Sequence, residues 1–345
     1  MGKKLFLIGP GYIGRTIIDE LLKEQYDITA LTRRREAAEE LTKIGVQTVF
    51  GSLSHDDLIS KQTETSDIVI HTATADDMPS VKSVIKGIRQ RADQGESTIY
   101  IHTSGTSFLS DESRSQYKSD TIYYDNKPED LDALPDSASH RLIDLEIIKA
   151  RKELGTKAKL FIMLPPLIYG AVPSLGRLSI QVITMARFAL KHRYAGYVGG
   201  GKAVWSTVHV ADLARAYVMI LHWAEQAPDN VALENPYFFC ENGEEISWGE
   251  IASVVGEELH KRGRIDELEA REIADADYGD LFGPYSTVVI GANSRSRAQR
   301  VRELSWEPRE RKIREAFAEE ELPILLEEKG EFHGYSKPAA SGATG

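Results

Sequence analysis

Short apolar runs alternate with one-sided helical patterns along the first half of the chain. The apolar runs predict strands at 4–9, 28–31, 46–50, 68–73 and 98–102, and apolar residues repeat at helical spacing at 17–22, 36–44 and 81–89. Strands this apolar need cover on both faces, which a parallel sheet between two helical layers provides. The pattern therefore predicts an α/β fold with a doubly wound parallel sheet.

The first predicted strand ends in a glycine-rich turn, GPGYIG at 9–14, directly before the first helical pattern. Glycine permits positive φ angles and the close approach of other groups. At this place in a parallel sheet the spacing is typical of a dinucleotide site, with Gly9 at the tight turn, Gly11 beside the pyrophosphate and Gly14 against the sheet. The helix start adds free N–H groups that favour phosphate. A merely tight glycine turn is the alternative.

The end of the second predicted strand indicates which dinucleotide is bound. An NAD site usually places an acid here for the ribose hydroxyls. This chain instead reads LTRRR at 31–35. A guanidinium holds a 2′-phosphate that an acid would repel, so NADP is favoured over NAD, with Arg33 and Arg34 as contacts. The alternative is a solvated basic start to the next helix.

Composition limits the partners of this chain. Its formal net charge is −11, which argues against a nucleic-acid or anionic-membrane partner. The single cysteine, Cys240, allows no internal disulfide and no cysteine-based zinc site, and no metal site is predicted. No apolar run approaches the length of a membrane span, and the N-terminus does not resemble a signal peptide. We therefore expect a soluble cytoplasmic protein.

Five motifs, in the order found here, resemble the extended short-chain dehydrogenase/reductase superfamily, which includes sugar-nucleotide epimerases, dehydratases and dihydroflavonol-type reductases. They are the glycine turn, TSGTS at 103–107, PPLIYG at 165–170, VHVADLA at 208–214 and LSWEP at 304–308. The chain resembles an atypical, epimerase/dehydratase-like branch, with NmrA-like proteins as distant relatives. It departs from the usual GxxGxxG because Ile8 takes the place of the first glycine and Gly9 follows one residue later.

The resemblance extends the predicted cofactor site and implies a two-part architecture. The residues expected to contact the cofactor are Gly9, Gly11, Tyr12, Ile13, Gly14, Thr32, Arg33, Arg34, Ser52, Leu53, Ala73, Thr74, Pro165 and Leu167. A Rossmann-type NADP-binding domain is predicted at 1–169, joined by 205–231 and 286–310, with a smaller substrate-binding lobe at 170–204 and 232–285. The tail at 337–345 is predicted to be disordered. Relatives commonly pair, so a homodimer is possible.

The resemblance also implies a catalytic Ser/Thr–Tyr–Lys triad, of which only the hydroxyl is evident. Ser104 and Thr106 follow the fifth strand, where ligands of such sheets bind, although a loop with local hydroxyl bonds is the alternative. The usual place of the Tyr–Lys pair reads ASHRLID at 138–144. Tyr123 and Lys127 have the right spacing, but Pro128 and a loop-like context argue against a helical pair.

Two other side chains are candidates for the missing acid–base role. His140 lies near the expected tyrosine position, and imidazole titrates near neutral pH, although a helix-start residue bonded to backbone is the alternative. Tyr169 follows the PP pair and is expected to contact substrate or to be a satisfied, half-buried tyrosine. His209 and Asp212 match a family motif that is mainly architectural. The segment 107–139 is predicted to be a substrate-binding lid, with disorder as the alternative.

Three functions fit these observations. The first is an NADPH-dependent reductase acting on a carbonyl, imine or conjugated alkene of a small organic substrate. The second is a sugar-nucleotide epimerase or dehydratase, which depends more strongly on the missing tyrosinate. The third is a non-catalytic, NADP-sensing regulator like the NmrA-like relatives. The reductase is favoured, because reduction of an activated substrate needs the least help from an acid.

Overall fold

The computed structural model describes residues 2–329. Its strands are β1 Lys3–Ile8, β2 Tyr26–Thr32, β3 Gln47–Phe50, β4 Ile68–His71, β5 Thr98–Thr103, β6 Tyr123–Tyr124, β7 Ala158–Leu164, β8 Leu167–Tyr169, β9 Gly196–Tyr197, β10 Val204–His209, β11 Tyr237–Phe239, β12 Glu245–Ser247, β13 Arg271–Glu272 and β14 Ser296–Arg297. Its α-helices are α1 Tyr12–Leu21, α2 Arg35–Lys43, α3 Asp56–Glu64, α4 Met78–Asp93, α5 Pro128–Asp132, α6 Arg141–Leu154, α7 Gln181–His192, α8 Val210–Gln226, α9 Asp229–Ala232, α10 Trp248–Lys261, α11 Ser286–Val289, α12 Gln299–Glu303, α13 Ile313–Ala316 and α14 Leu322–Glu327.

Seven parallel strands form the main sheet, in the order β11-β7-β5-β4-β1-β2-β3. The chain runs outward from β1 to β3, returns to β4 beside β1 and then runs outward in the other direction. Open α/β sheets bind ligands at such a reversal, beyond the carboxyl ends of the strands. The predicted doubly wound Rossmann-type sheet is confirmed, and the crevice between β1 and β4 is where a ligand is expected.

Helices cover both faces of this sheet. Helix α1 packs with α8, and α4 packs between α3 and α6. The central strands are buried throughout, as in the all-buried β4, because both of their faces meet helices. Helix α3 was not among the predicted elements, since its apolar stripe is short. No helix within residues 2–329 combines the length and apolar character needed to cross a membrane.

A second apolar core lies beyond the carboxyl edge of the main sheet. It is formed by α7, α10 and the C-terminal helices around the three-stranded sheet β12-β10-β8. The predicted lobe segments 170–204 and 232–285 contribute to it, but so do β8 and β10, which the prediction placed in the NADP-binding domain. Strand β11 at Tyr237–Phe239 pairs with β7 and extends the main sheet instead. The predicted disordered tail at 337–345 lies outside the described residues.

The segment predicted as a lid, 107–139, is anchored along its length. The Asp111 carboxylate accepts hydrogen bonds from the backbone and side chain of Asn293, at 2.9 Å each. The Ser115 hydroxyl accepts one from the Ala203 N–H. The buried Asp125 carboxylate accepts hydrogen bonds from backbone N–H groups of β11 and α12. These contacts hold the segment against residues from the second half of the chain.

Candidate active site

A cavity of about 660 Å³ opens at the crevice between β1 and β4. Its floor is the carboxyl edge of the main sheet, and its far wall comes from the start of α7 and from β10. The predicted site residues that line it are Gly9, Gly11, Tyr12, Ile13, Thr32, Arg33, Arg34, Ser52, Leu53, Ala73, Thr74, Ser104, Thr106, His140 and Pro165. Residues at the ends of six strands, β1, β2, β3, β4, β5 and β7, thus meet in one space.

The glycine turn has the close contacts that the fingerprint requires. Gly9 has φ +93°, and a Cβ atom there would lie 2.4 Å from the backbone nitrogen of Ala73. A Cβ atom on Gly14 would lie 2.1 Å from the carbonyl oxygen of Gly9, so only glycine lets α1 start this close to the turn. A Cβ atom on Gly11 would meet no atom within 4 Å and would point into free space at the start of α1. This free space fits a pyrophosphate held by helix N–H groups.

The end of the cavity beside β2 is basic. Arg33 and Arg34 lie at its mouth after β2 and are exposed, whereas Arg35 is not part of the lining. The acid that lines the cavity within residues 2–329 is Asp77, whose carboxylate accepts a hydrogen bond from the Ser80 N–H at the start of α4. Because no carboxylate lies beside the two arginines in this lining, the surroundings suit an additional phosphate.

The other end of the cavity brings Ser104 and His140 together. Ser104 directly follows β5, and its hydroxyl donates a 3.0 Å hydrogen bond to the Asp144 carboxylate on α6. His140 is the residue before α6 and has a left-handed backbone, with φ +65°. Its Nδ1 lies 2.6 Å from the Asp76 carboxylate, and its ring lies 3.6 Å from the position that a Cβ atom on Gly105 would take. A hydroxyl and an imidazole held by separate carboxylates can serve as hydrogen-bond donor and proton donor.

Asp144 belongs to a buried polar group beneath Ser104 that the sequence reasoning missed. It is completely buried, and burial raises its pKa to about 7. Below it, His102 hydrogen bonds to Tyr100, and burial lowers the pKa of His102 well below its usual value. Burial also lowers the pKa of the neighbouring His71 to about 4. Both interior imidazoles are therefore neutral at physiological pH.

The sequence does carry a signal for a buried acid at Asp144. It lies in the apolar stripe of α6 beside Ile143 and Ile147, where a solvated acid would not be expected. It also lies in the first turn of α6, four residues after His140.

Comparison with known proteins identifies the family of this fold and site. A model of the NAD dependent epimerase/dehydratase family matches residues 7–233. The chain belongs to this family. The oxidase ucsJ of an Acremonium species is 31% identical over 333 residues, covering 89% of this chain and 93% of that protein. The family and its oxidase relative make the chain an NAD(P)-dependent oxidoreductase of the extended short-chain dehydrogenase/reductase type.

Solved structures of this family share the same architecture. UDP-glucose 4-epimerase from Thermotoga maritima superposes with a TM-score of 0.64 at 13% identity, covering 91% of this chain and 96% of that chain. UDP-glucuronic acid 4-epimerase from Bacillus cereus, crystallised with NAD, gives a TM-score of 0.63 at 14% identity, covering 94% of this chain and 99% of that chain. At these identities the similarity establishes the fold.

Two of the predicted site residues, Leu167 and Tyr169, lie in the second apolar core and do not line the cavity. Leu167 packs in the second core, and its neighbour Ile168 lines the cavity, because successive side chains of β8 point to opposite sides. The Tyr169 hydroxyl donates to the Arg311 carbonyl and accepts from Asn242, and its side chain is fully buried. Tyr169 is therefore a satisfied core residue, the alternative considered for it.

The other catalytic candidates, Thr106 and the pair Tyr123 and Lys127, lie in different parts of the structure. Thr106 also lines the cavity, where its hydroxyl accepts a 2.9 Å hydrogen bond from the Ser294 hydroxyl. Ser104 is preferred because its hydroxyl is held by Asp144 of α6, the helix that begins directly after His140. Tyr123 lies in β6, which pairs with β14, and neither it nor Lys127 is part of the cavity lining. The Lys127 ammonium instead lies 5.3 Å from the centre of the Tyr124 ring. The structure does not bring this Tyr–Lys pair to Ser104.

The family motif at 208–214 has structural partners. His209 Nε2 lies 2.9 Å from the Glu320 carboxylate. The buried Asp212 carboxylate pairs with Arg215 and accepts hydrogen bonds from the backbone N–H groups of Arg309 and Glu310, at 2.8 and 3.2 Å. Asp212 thus ties α8 to the segment that follows α12.

Replacing Asp212 with alanine should therefore destabilise the fold. The substitution leaves Arg215 without this carboxylate and orphans two backbone N–H groups, and we expect a loss of about 2–4 kcal/mol of unfolding free energy. Urea unfolding followed by circular dichroism measures it. Asp136→Ala, at an exposed position outside the helices and strands, is the control and should change stability by less than about 0.5 kcal/mol. Equal stabilities of the two variants would contradict the structural role of Asp212.

Proposed function

We propose that this oxidoreductase uses NADPH to reduce a carbonyl, imine or conjugated alkene of a small organic substrate. The observation that carries the proposal is the layout of the cavity. Two arginines with no neighbouring acid in the lining lie at the adenosine end, and Ser104 and His140 lie together at the other end. From the composition we also propose a cytoplasmic location, and from the family resemblance a homodimer. Light scattering of the purified protein would test the homodimer.

Ser104, His140 and Asp76 have different roles in the proposed reduction. NADPH, when bound, supplies the hydride. The Ser104 hydroxyl donates a hydrogen bond to the substrate oxygen or nitrogen, which polarises the double bond. His140, in its protonated form, gives a proton to that atom, and the Asp76 carboxylate holds the imidazole in position during the transfer. Pro165, Ile168 and Trp205 give this end of the cavity apolar walls that exclude water.

The cavity favours a reductase over an epimerase or dehydratase. Those reactions first oxidise an alcohol and need a strong base, which the family provides as a tyrosinate. The cavity-lining Tyr12 does not meet this need, because its hydroxyl donates to the Gly170 carbonyl. Burial and the nearby Glu321 and Glu320 carboxylates raise the pKa of Tyr12 well above its usual value. A purified protein that carries oxidised cofactor and interconverts sugar nucleotides would reverse this preference.

Removing the two arginines should change the choice of cofactor. In Arg33→Gln/Arg34→Gln we expect NADPH affinity to fall about 30- to 100-fold while NADH affinity stays within about twofold, because only NADPH carries the 2′-phosphate. Isothermal titration calorimetry measures both. Arg35→Gln is the matched control, since Arg35 does not line the cavity. Wild-type protein that binds NADH more tightly than NADPH would contradict the assignment.

Turnover is tested with NADPH and a panel of aldehydes, ketones, imines and enones. We expect NADPH consumption with at least one class, and product analysis by mass spectrometry should show a gain of two hydrogens. Tight NADPH binding without turnover on any class, together with capture of a specific protein partner, would instead support the NADP-sensing regulator.

A further inference from the structure

Beneath the catalytic end of the cavity, Ser104 and Asp144 share a hydrogen bond whose direction depends on one proton. The Ser104 hydroxyl has a single hydrogen, and its oxygen lies 3.0 Å from Asp144 Oδ2. When Asp144 is ionised it only accepts, so the Ser104 hydrogen points at the carboxylate and away from the cavity. When Asp144 is protonated it can donate to Ser104, which frees the Ser104 hydrogen for a substrate atom.

The surroundings of Asp144 favour the protonated form. The side chain is completely buried, and its Oδ1 has no hydrogen-bond partner among residues 2–329. A buried carboxylate with one unpaired oxygen is costly, whereas a neutral carboxyl group is much less so. Burial accordingly raises the pKa of Asp144 to about 7, against the opposing influence of His140, Ser104 and Arg141.

The titratable and charged groups around Asp144 come from three directions. From its own helix and the preceding residue come Arg141 and His140, which favour the ionised form, and from the β4–α4 loop comes Asp76, which opposes it. From β5 come Tyr100 and His102, both buried. The pKa of His102 is lowered by burial and that of Tyr100 is raised by burial and by Asp144, so β5 contributes no charge. Arg141 is itself engaged with Tyr237 and the Asp132 carbonyl.

We propose that Asp144 is a positioning residue that, in its protonated form, donates a hydrogen bond to Ser104 and so aims the Ser104 hydroxyl at the substrate. His140 directly precedes α6, and Asp144 lies in the first turn of that helix, where its backbone N–H donates to the His140 carbonyl oxygen at 3.3 Å. The proton on Asp144 is not transferred to substrate. It determines only whether Ser104 can act as a hydrogen-bond donor. The proposal rests on the reductase function proposed above.

Two measurements test it, and the first does not depend on activity. Protein labelled with ¹³C at aspartate Cγ is titrated by NMR, and the Asp144 signal is identified by its loss in Asp144→Asn. We expect this signal to titrate near neutral pH. In Ser104→Ala its midpoint should move upward, because the hydrogen bond from Ser104 to the ionised form is lost. A signal already fully ionised at pH 5, or one insensitive to Ser104→Ala, would overturn the proposal.

The second measurement is the pH dependence of kcat for reduction. In the wild type, kcat should fall as pH rises through the neutral range. In Asp144→Asn the amide permanently donates to Ser104, so kcat should stay within about threefold of wild type at pH 6 and the limiting slope of log kcat against pH should become shallower by one unit. In Ser104→Ala, adding Asp144→Asn should have no further effect on this slope.

Controls separate this proposal from the function on which it rests. Glu146→Gln, a partly exposed acid on the same helix, should leave both the NMR titration and the pH profile unchanged. An unchanged limiting slope in a folded, active Asp144→Asn variant would overturn the positioning role. If no substrate is turned over at all, the reductase function fails, but the NMR titration still decides whether Asp144 and Ser104 are coupled as described.

Discussion

In Gly11→Asp, binding of NADPH should fall at least about 100-fold, a loss of about 2.7 kcal/mol, while the protein stays folded. Gly11 lines the cavity at the start of α1, and a side chain there would meet no protein atom within 4 Å. The aspartate would place a negative charge in the space that fits the pyrophosphate. Gly11 is also the N-cap of α1 and makes no side-chain capping bond, so aspartate, a favoured N-cap residue, should not weaken the helix.

Calorimetry with NADPH and NADH and thermal unfolding of both proteins measure this outcome. Gly279→Asp adds the same charge at an exposed glycine with open space around it, away from the cavity, and should bind NADPH like the wild type. Both nucleotides should lose affinity in Gly11→Asp, unlike in the arginine variant, because both carry the pyrophosphate. A folded Gly11→Asp protein with unchanged affinity would contradict the assignment of the crevice as the dinucleotide site.

The second large effect concerns His140. In His140→Asn, kcat for reduction should fall about 100- to 1,000-fold, because asparagine cannot supply the proton that general acid catalysis requires. Asparagine is chosen because it tolerates the left-handed backbone that His140 adopts, so the start of α6 should be retained. NADPH affinity should remain within about twofold, since the phosphate contacts lie at the other end of the cavity.

Steady-state kinetics with the best substrate, and calorimetry with NADPH, test this prediction. Ser305→Asn makes the same replacement at another left-handed residue, which is exposed and outside the cavity lining, and should leave kcat unchanged. A His140→Asn enzyme with kcat within about threefold of wild type would show that another group supplies the proton. Ser104→Ala would then be the next variant to examine.

The residues that line the cavity beside β1 and β2 were largely predictable, because their signals are local. The glycine spacing at 9–14 and the arginines at 33–34 each lie within one strand–turn–helix unit, where neighbours in sequence are neighbours in space. The predicted strands of the main sheet up to Thr98–Thr103 appear in order for the same reason. The direction of individual side chains was harder to predict from the sequence. Leu167 was expected to line the cavity, but its neighbour Ile168 lines it instead.

The catalytic end depends on contacts between distant parts of the chain. His140 meets Asp76 across 64 residues, and Ser104 meets Asp144 across 40. No local pattern reports such pairs. Strand β11 was likewise assigned to the smaller lobe, because three apolar residues in isolation do not indicate which sheet edge they will join.

The sequence by itself thus determined the doubly wound sheet, the glycine turn at its crevice and the family, since periodicity, glycine positions and short motifs act through local sterics and burial. Only the tertiary structure decided which carboxylates hold Ser104 and His140, that the segment 107–139 is anchored, and that an acid is buried beneath Ser104. These features follow from how helices and loops pack on the finished sheet, and the protonation of a buried group depends on everything that surrounds it.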